Sequence, residues 1–248
     1  ERFPRLVVRL SPRLYGERLA NNPERGADFV REQALRGNVE AQLGWGHMML
    51  DGHGVERDPE GAFRWFRLAA RQGNLDAANM VGRCYEHGLG ANKDIPLAMQ
   101  WYETAAKKGH HWAEFNLAAL MVTQADETTD LRRALSLLVR AARKGNPKAM
   151  NMIGHFRENG WVIRAKAKAA SFWFRLAAHG GCYRGQFHYA RFVLREGKIR
   201  EARRWLRSSL RHAPADFVRE AAAILLRHPH EQVRSIALEA GVAGNDGI

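Results

Sequence analysis

The 248 residues carry 39 Lys and Arg against 26 Asp and Glu, a formal net charge of +13, and 46% of them are apolar. That apolar share is enough for a continuous core and excludes a disordered chain, and two cysteines exclude a disulfide framework. Ala, Leu, Arg and Glu dominate while β-branched runs are nearly absent, which predicts an all-helical fold.

The basicity is local. Residues 161–211 hold 13 Lys and Arg against Glu196 and Glu201, a net +11 in one block, so the charge describes a surface rather than the whole chain. No run of about 18 apolar residues occurs, so no membrane-spanning helix is expected. The sequence starts at Glu1 rather than Met, which leaves room for a removed leader. The cysteine usage favours a cytoplasmic compartment, and a periplasmic one fits if such a leader existed.

In chain order, the first stretch is basic and interrupted by Pro4, Pro12 and Pro23. It reads as an arm, a short helix near Ser11–Ala20 and a loop, because proline disfavours one continuous helix. A helix then opens at Asn22-Pro23 and runs through Arg36, with Pro at its first position.

From there a period of 36 residues governs the chain. The phrase Trp65, Ala69, Ala70, Gly73 returns as Trp101, Ala105, Ala106, Gly109. Glycines end the phrase at 37, 73, 109, 145 and 181, each a helix terminator needing positive φ. Counting from each glycine, Ala41, Ala77, Ala113, Ala149 and Gly185 stand at plus four. A large and then a small residue stand at plus eight and nine, as in Trp45-Gly46 and Ile153-Gly154. Met48, Cys84, Leu120, Phe156 and Phe192 stand at plus eleven.

Positions plus four, eight and eleven lie on one helical face, so each period is an antiparallel helix pair. The small residue lets the paired helix approach, and the tryptophan at plus twenty-eight is expected to fill the seam between pairs. Asp58, Asp94 and Asp130 are candidate N-caps of the second helices. Between the helices of the third pair the glycines give way to residues 124–130, and in the fifth pair Ala202 and Trp205 arrive four residues early. Helices near Pro214–Arg227 and Pro229–Ala240 would cap the array.

The best-formed pair reads Ala77, Val81-Gly82, Tyr85, Gly88, Gly90, Asp94, Ala98, Trp101, Ala105-Ala106 and Gly109. It resembles the Sel-one-like repeat, a relative of the tetratricopeptide repeat, and the resemblance covers about residues 26–212. It implies an all-α, right-handed superhelical solenoid of about five antiparallel helix pairs. Residues 1–25 would form an arm, 26–212 the array and 213–248 a capping segment, in a monomer.

Chemistry is sparsely signalled. Gly52-x-Gly54 and Gly88-x-Gly90 follow helices rather than strands, so they read as repeat turns, not phosphate loops. Cys84 and His87, with His47, His53, His110 and His111, invite a metal reading, but Cys84 holds the core position plus eleven. No metal, cofactor or catalytic residue is therefore expected, and no serine sits in a nucleophile elbow. The resemblance carries, as a second alternative, a hydrolase of the cysteine-rich type linked to β-lactam binding or hydrolysis; the paired cysteines of those members are missing here.

The resemblance places the concave surface on the first helices. The candidate binding residues there are His47, Asn79, Arg83, His87, Phe115, Asn151, His155, Phe187, Arg191 and Arg195. Asn and Arg in such a row suit a peptide backbone or carboxylates. The expected function is a non-catalytic adaptor for a protein or peptide, acidic in character, with Arg191 and Arg195 countering its charge. The alternative is nucleic-acid or anionic-surface binding through residues 161–211, where aromatics are interleaved with the charge but most of them hold core positions of the repeat.

Overall fold

The computed structural model describes residues 23–124 and 128–243, and among these all regular structure is helical. The arm and the short helix expected near Ser11–Ala20 lie outside the described residues. The helices are α1 (Pro23–Leu35), α2 (Val39–Asp51), α3 (Pro59–Arg71), α4 (Leu75–His87), α5 (Ile95–Lys107), α6 (His111–Thr123) and α7 (Thr128–Arg143). There follow α8 (Pro147–Asn159), α9 (Ala167–His179), α10 (Tyr183–Arg195), α11 (Ile199–His212), α12 (Ala215–Leu226) and α13 (Glu231–Ala243). The chain divides after Leu120 into two units. In the N-terminal unit α2 packs on α3 and α4 on α5; in the C-terminal unit α8 packs on α9, α10 on α11 and α12 on α13.

The helix ends follow from side-chain chemistry at fixed phase. The residue after each phrase-final glycine is an N-cap: Asn38, Asn74 and Asn146 accept from the backbone N–H of Ala41, Ala77 and Ala149 at 2.8–3.0 Å. His110 does the same through Nδ1, accepting from Ala113 at 3.1 Å. Each bond satisfies an N–H that the helix itself leaves orphaned. The phrase-final glycines at 37, 73, 109, 145 and 181 all have φ between 82° and 90°. At Gly73 a Cβ would meet nothing within 4 Å. The backbone angle alone demands glycine there.

Second helices begin as expected at two of three positions. Asp58 and Asp94 accept from Gly61 and Leu97 at 2.8 Å. Asp130 is a correction: α7 starts at Thr128, so Asp130 lies inside its first turn rather than at the cap. An acid there still favours the positive end of the helix. The fifth pair is short because only residues 196–198 connect α10 to α11, whereas residues 52–58 connect α2 to α3.

The core is built where the periodic face predicts. Positions plus four and plus eleven are buried in every pair. The small residue at plus nine has a specific purpose. A Cβ on Gly46 would stand 2.6 Å from the Phe66 ring, one on Gly82 2.6 Å from Tyr102, and one on Gly154 2.5 Å from Phe174. These rings, at plus twenty-nine, are fully buried, while the tryptophans one residue earlier are only half-buried. Burying each such ring contributes roughly 2–3 kcal/mol. Trp65 packs over the cluster of Ala27, Val30, Ala34, Ala41, Trp45 and Met48, and Trp101 over the next, so both do lie on the seam between pairs.

Two further ties recur at one phase. Gln42 and Gln186 each donate, at 3.4 Å, to a carbonyl near the end of the preceding second helix, Ala34 and Ala178. At the C-terminus Phe217 of α12, with Val233 and Ile236 of α13, closes the core over Phe187 and Leu206. The expected capping helices thus form, within two or three residues of the predicted bounds.

Candidate functional site

The ten candidate residues fall into two sets, one on each unit. In the N-terminal unit α2, α4 and α6 carry the first. Plus six faces the neighbouring first helix: Asn79 is 8% exposed, and its Oδ1 accepts from Asn116 Nδ2 at 2.9 Å. Phe115, at the same phase, is half-buried. Plus ten is more open. His47 sets its edge against the Phe66 ring at 5.1 Å, with no hydrogen-bond partner for its buried Nε2. Burial, then the nearby Arg83 guanidinium, lowers its pKa to about 4, so it is neutral at ordinary pH; Asp76 opposes the shift. Arg83 is half-buried one repeat on, and His87 is exposed at the helix end, 3.8 Å from Glu86.

Acidic groups share this surface. Tyr102 donates to Glu86 at 2.5 Å. Asp76 accepts from His110 Nε2 at 2.9 Å, which lowers its pKa. Burial raises the pKa of Asp51. Asn74 donates to Glu40 at 2.9 Å, one repeat before the equivalent pair of His110 and Asp76, so these contacts brace successive first helices.

In the C-terminal unit the second set converges further. Asn151, His155 and Glu158 follow one another at i, i+4 and i+7 on one face of α8. Asn151 is 8% exposed and its Oδ1 has no hydrogen-bond partner. His155 sets its edge against Phe174 at 5.1 Å, the same arrangement as His47 on Phe66. The ring of His188, from α10, crosses His155 at 4.4 Å. Arg191 reaches Glu158 at 3.4 Å and donates to His188 Nδ1 at 3.2 Å. Burial, then His155 and Arg191, hold the pKa of His188 down at about 3, and burial lowers that of His155 as well. Both rings are neutral at ordinary pH. Their neutral nitrogens can donate or accept without adding charge.

The remaining two candidates lie apart from this cluster. Phe187 is 3% exposed and belongs to the core, edge-on to Phe217 at 5.6 Å, because plus six faces the next helix rather than solvent. Arg195 is exposed, its guanidinium 5.2 Å over the Phe192 ring. His188 and Glu158 are the members that a reading of separate repeats did not select. The signal for His188 was the plus-seven phase it shares with Asn116, the partner of Asn79, and that for Glu158 was its plus-thirteen phase, three residues after His155 on the face of α8 that carries Asn151.

Cys84 is fully buried, its thiol pushed up to about 12 by burial, and Cys182 is a buried thiol preceding α10. Both are free. Among the described residues no group of His, Cys, Asp and Glu is arranged to hold a metal ion, and no helix is long and apolar enough to cross a membrane.

The Sel1 repeat profile matches residues 39–74, 75–110, 113–146 and 147–182, more than half the chain. No curated protein matches it. Among solved structures it is similar to a Sel1 repeat protein from Oxalobacter formigenes, with 25% identity, TM-score 0.76, 92% of this chain and 98% of that one covered. It is also similar to a protective antigen of uropathogenic Escherichia coli displaying an SLR fold, with 27% identity and TM-score 0.65, over 91% of this chain and 50% of the antigen. An immunity protein from Pseudomonas aeruginosa shares the fold at 16% identity and TM-score 0.54, over 83% of this chain and 81% of that one. With the matched segments spanning helix pairs α2–α3, α4–α5 and α8–α9, each closed by a positive-φ glycine, the chain belongs to the Sel1 repeat family, whose members generally serve as protein-interaction scaffolds.

Proposed function

We propose that this chain is a non-catalytic adaptor whose first-helix surface receives an extended segment of a partner protein. The carrying observation is the set on α8 and α10, where Asn151 keeps an unpartnered acceptor beside His155, Glu158, His188 and Arg191. A peptide backbone offers N–H donors and carbonyl acceptors at regular intervals, which such mixed side chains can match in pairs. The partner segment is acidic near Arg195, since Arg191 is already engaged by Glu158 within the chain.

The test begins with a partner captured from native extract and identified by mass spectrometry. Calorimetric titration then compares wild type with the Arg83→Ala/Asn151→Ala/Arg191→Ala variant. At least tenfold weaker binding is expected with an unchanged helical spectrum. Equal affinity would overturn the groove reading, and turnover of the bound partner would overturn the non-catalytic one.

A further inference from the structure

The strongest charge asymmetry lies away from this groove, on the second helices. In the C-terminal unit α7, α9 and α11 carry 11 Lys and Arg (four, two and five) against Asp130 and Glu201. In the N-terminal unit α1, α3 and α5 carry six against five acids, so the two sets differ by about eight charges. The basic block at 161–211 is therefore one part of a larger surface, because α7 adds Arg132, Arg133, Arg140 and Arg143 from earlier in the chain.

Arg200, Arg204, Arg207 and Arg211 follow at i, i+4, i+7 and i+11 on α11, a stripe about 16 Å long. Arg207 is tied to Glu239 at 2.9 Å, but Arg200, Arg204 and Arg211 are exposed and have no acidic partner among the described residues. Helices α9 and α11 are joined by the His179 and Trp205 rings at 5.0 Å. On α9 the Phe172 ring is 46% exposed, with the Arg175 guanidinium 5.7 Å from its centre. Between α7 and the turn before α9 lies a cleft of about 480 Å³, its apolar wall made by Leu135, Val139, Val162 and Ile163 and its rim by Arg132, Arg140 and Arg143. Val162 holds φ at 50°, at the phase where Gly54 and Gly90 stand in other repeats. A side chain thus projects where those turns have none.

We propose that this second-helix surface docks a single-stranded nucleic acid. Arginine forks match phosphate oxygens in pairs. An exposed ring beside a guanidinium offers a stacking platform for an unpaired base, and the cleft's apolar wall with an arginine rim suits a planar base held near its phosphate. A purely acidic segment such as polyglutamate uses the charge but has no π-face to stack on the ring. The surface is distinct from the first-helix groove, so the two bindings can fail separately.

The test uses the full chain and a labelled single strand of about 20 nucleotides and mixed sequence, followed by anisotropy. Binding at 50 mM salt should weaken by roughly tenfold or more at 200 mM, as about four phosphate contacts require. Arg204→Glu/Arg211→Glu should weaken it a further tenfold or more. Phe172→Ala should cost about fivefold through lost stacking. No variant should melt below wild type, and the groove triple variant should bind the strand unchanged. Absence of binding at 50 mM salt overturns the proposal. So does equal or tighter binding of polyglutamate or of phosphatidylglycerol vesicles, with Phe172→Ala indistinguishable from wild type.

Discussion

At the scale of single residues, the informative side chains are those whose burial and polarity conflict. His47 fills space against Phe66 and leaves Nε2 without a partner, and its pKa of about 4 lies below the ordinary value of 6.5. On unfolding it takes up a proton between those two pH values, so the unfolded chain binds more protons in that window. Stability therefore falls as pH drops from 6.5 to about 4, by roughly 2–3 kcal/mol from this residue. The charged groups that act on it are Arg83, which adds to the effect, and Asp76, which opposes it. His47→Gln should flatten the decline of Tm across this range; an unchanged slope would show that His47 is solvated in the native state. His110 was also hidden from a residue-by-residue reading. A metal reading attracts attention to its imidazole, yet its Nδ1 caps α6 and its Nε2 binds Asp76. Only its phase, one residue after a terminating glycine, reveals the cap.

At the scale of elements, the helix pairs obey a size rule between plus nine and plus twenty-nine. Glycine stands opposite the aromatic rings Phe66, Tyr102 and Phe174, whereas Ala190 packs in one cluster with Leu206. Ala118 and Leu138 hold the same two phases in the third repeat. Gly154→Ala should destabilise by about 1–3 kcal/mol, since the added methyl overlaps a ring packed on all sides. The double variant Gly154→Ala/Phe174→Leu should be less destabilised than the sum of its two single variants, because a smaller side chain restores the room. Denaturant melts of the four proteins check this, and strict additivity would refute the contact as its cause. The period of 36 made the helices, their ends and the core face legible. It pointed to the tryptophan rather than its neighbour because tryptophan is the rarer letter; which of two adjacent large residues turns fully inward depends on the angle at which the second helix lies on the first.

At the scale of the molecule, charge is the dominant feature. With a net +13 concentrated on the second helices of the C-terminal unit, folding gathers like charges that the unfolded chain keeps further apart. Raising monovalent salt from 10 to about 200 mM shortens the Debye length to below 10 Å. It should therefore raise Tm by a few degrees. A fall in Tm would mean that pairs such as Arg207–Glu239 outweigh the repulsion, contrary to the small worth of exposed ion pairs.

The sequence by itself determined the fold class, the repeat length, the terminating glycines and the core positions, because a local period of hydrophobicity and the conformational needs of glycine are written residue by residue. It also located much of the basic surface. Only the tertiary structure decided which polar residues meet: it buried Asn79, Asn151 and Phe187 between neighbouring helices, brought Glu158, His188 and Arg191 together, and added α7 to the basic surface. The reason is geometric. Contacts between residues about one repeat apart, such as Asn79 with Asn116 and Glu158 with Arg191, depend on the rotation between successive helix pairs, and no single repeat encodes that angle.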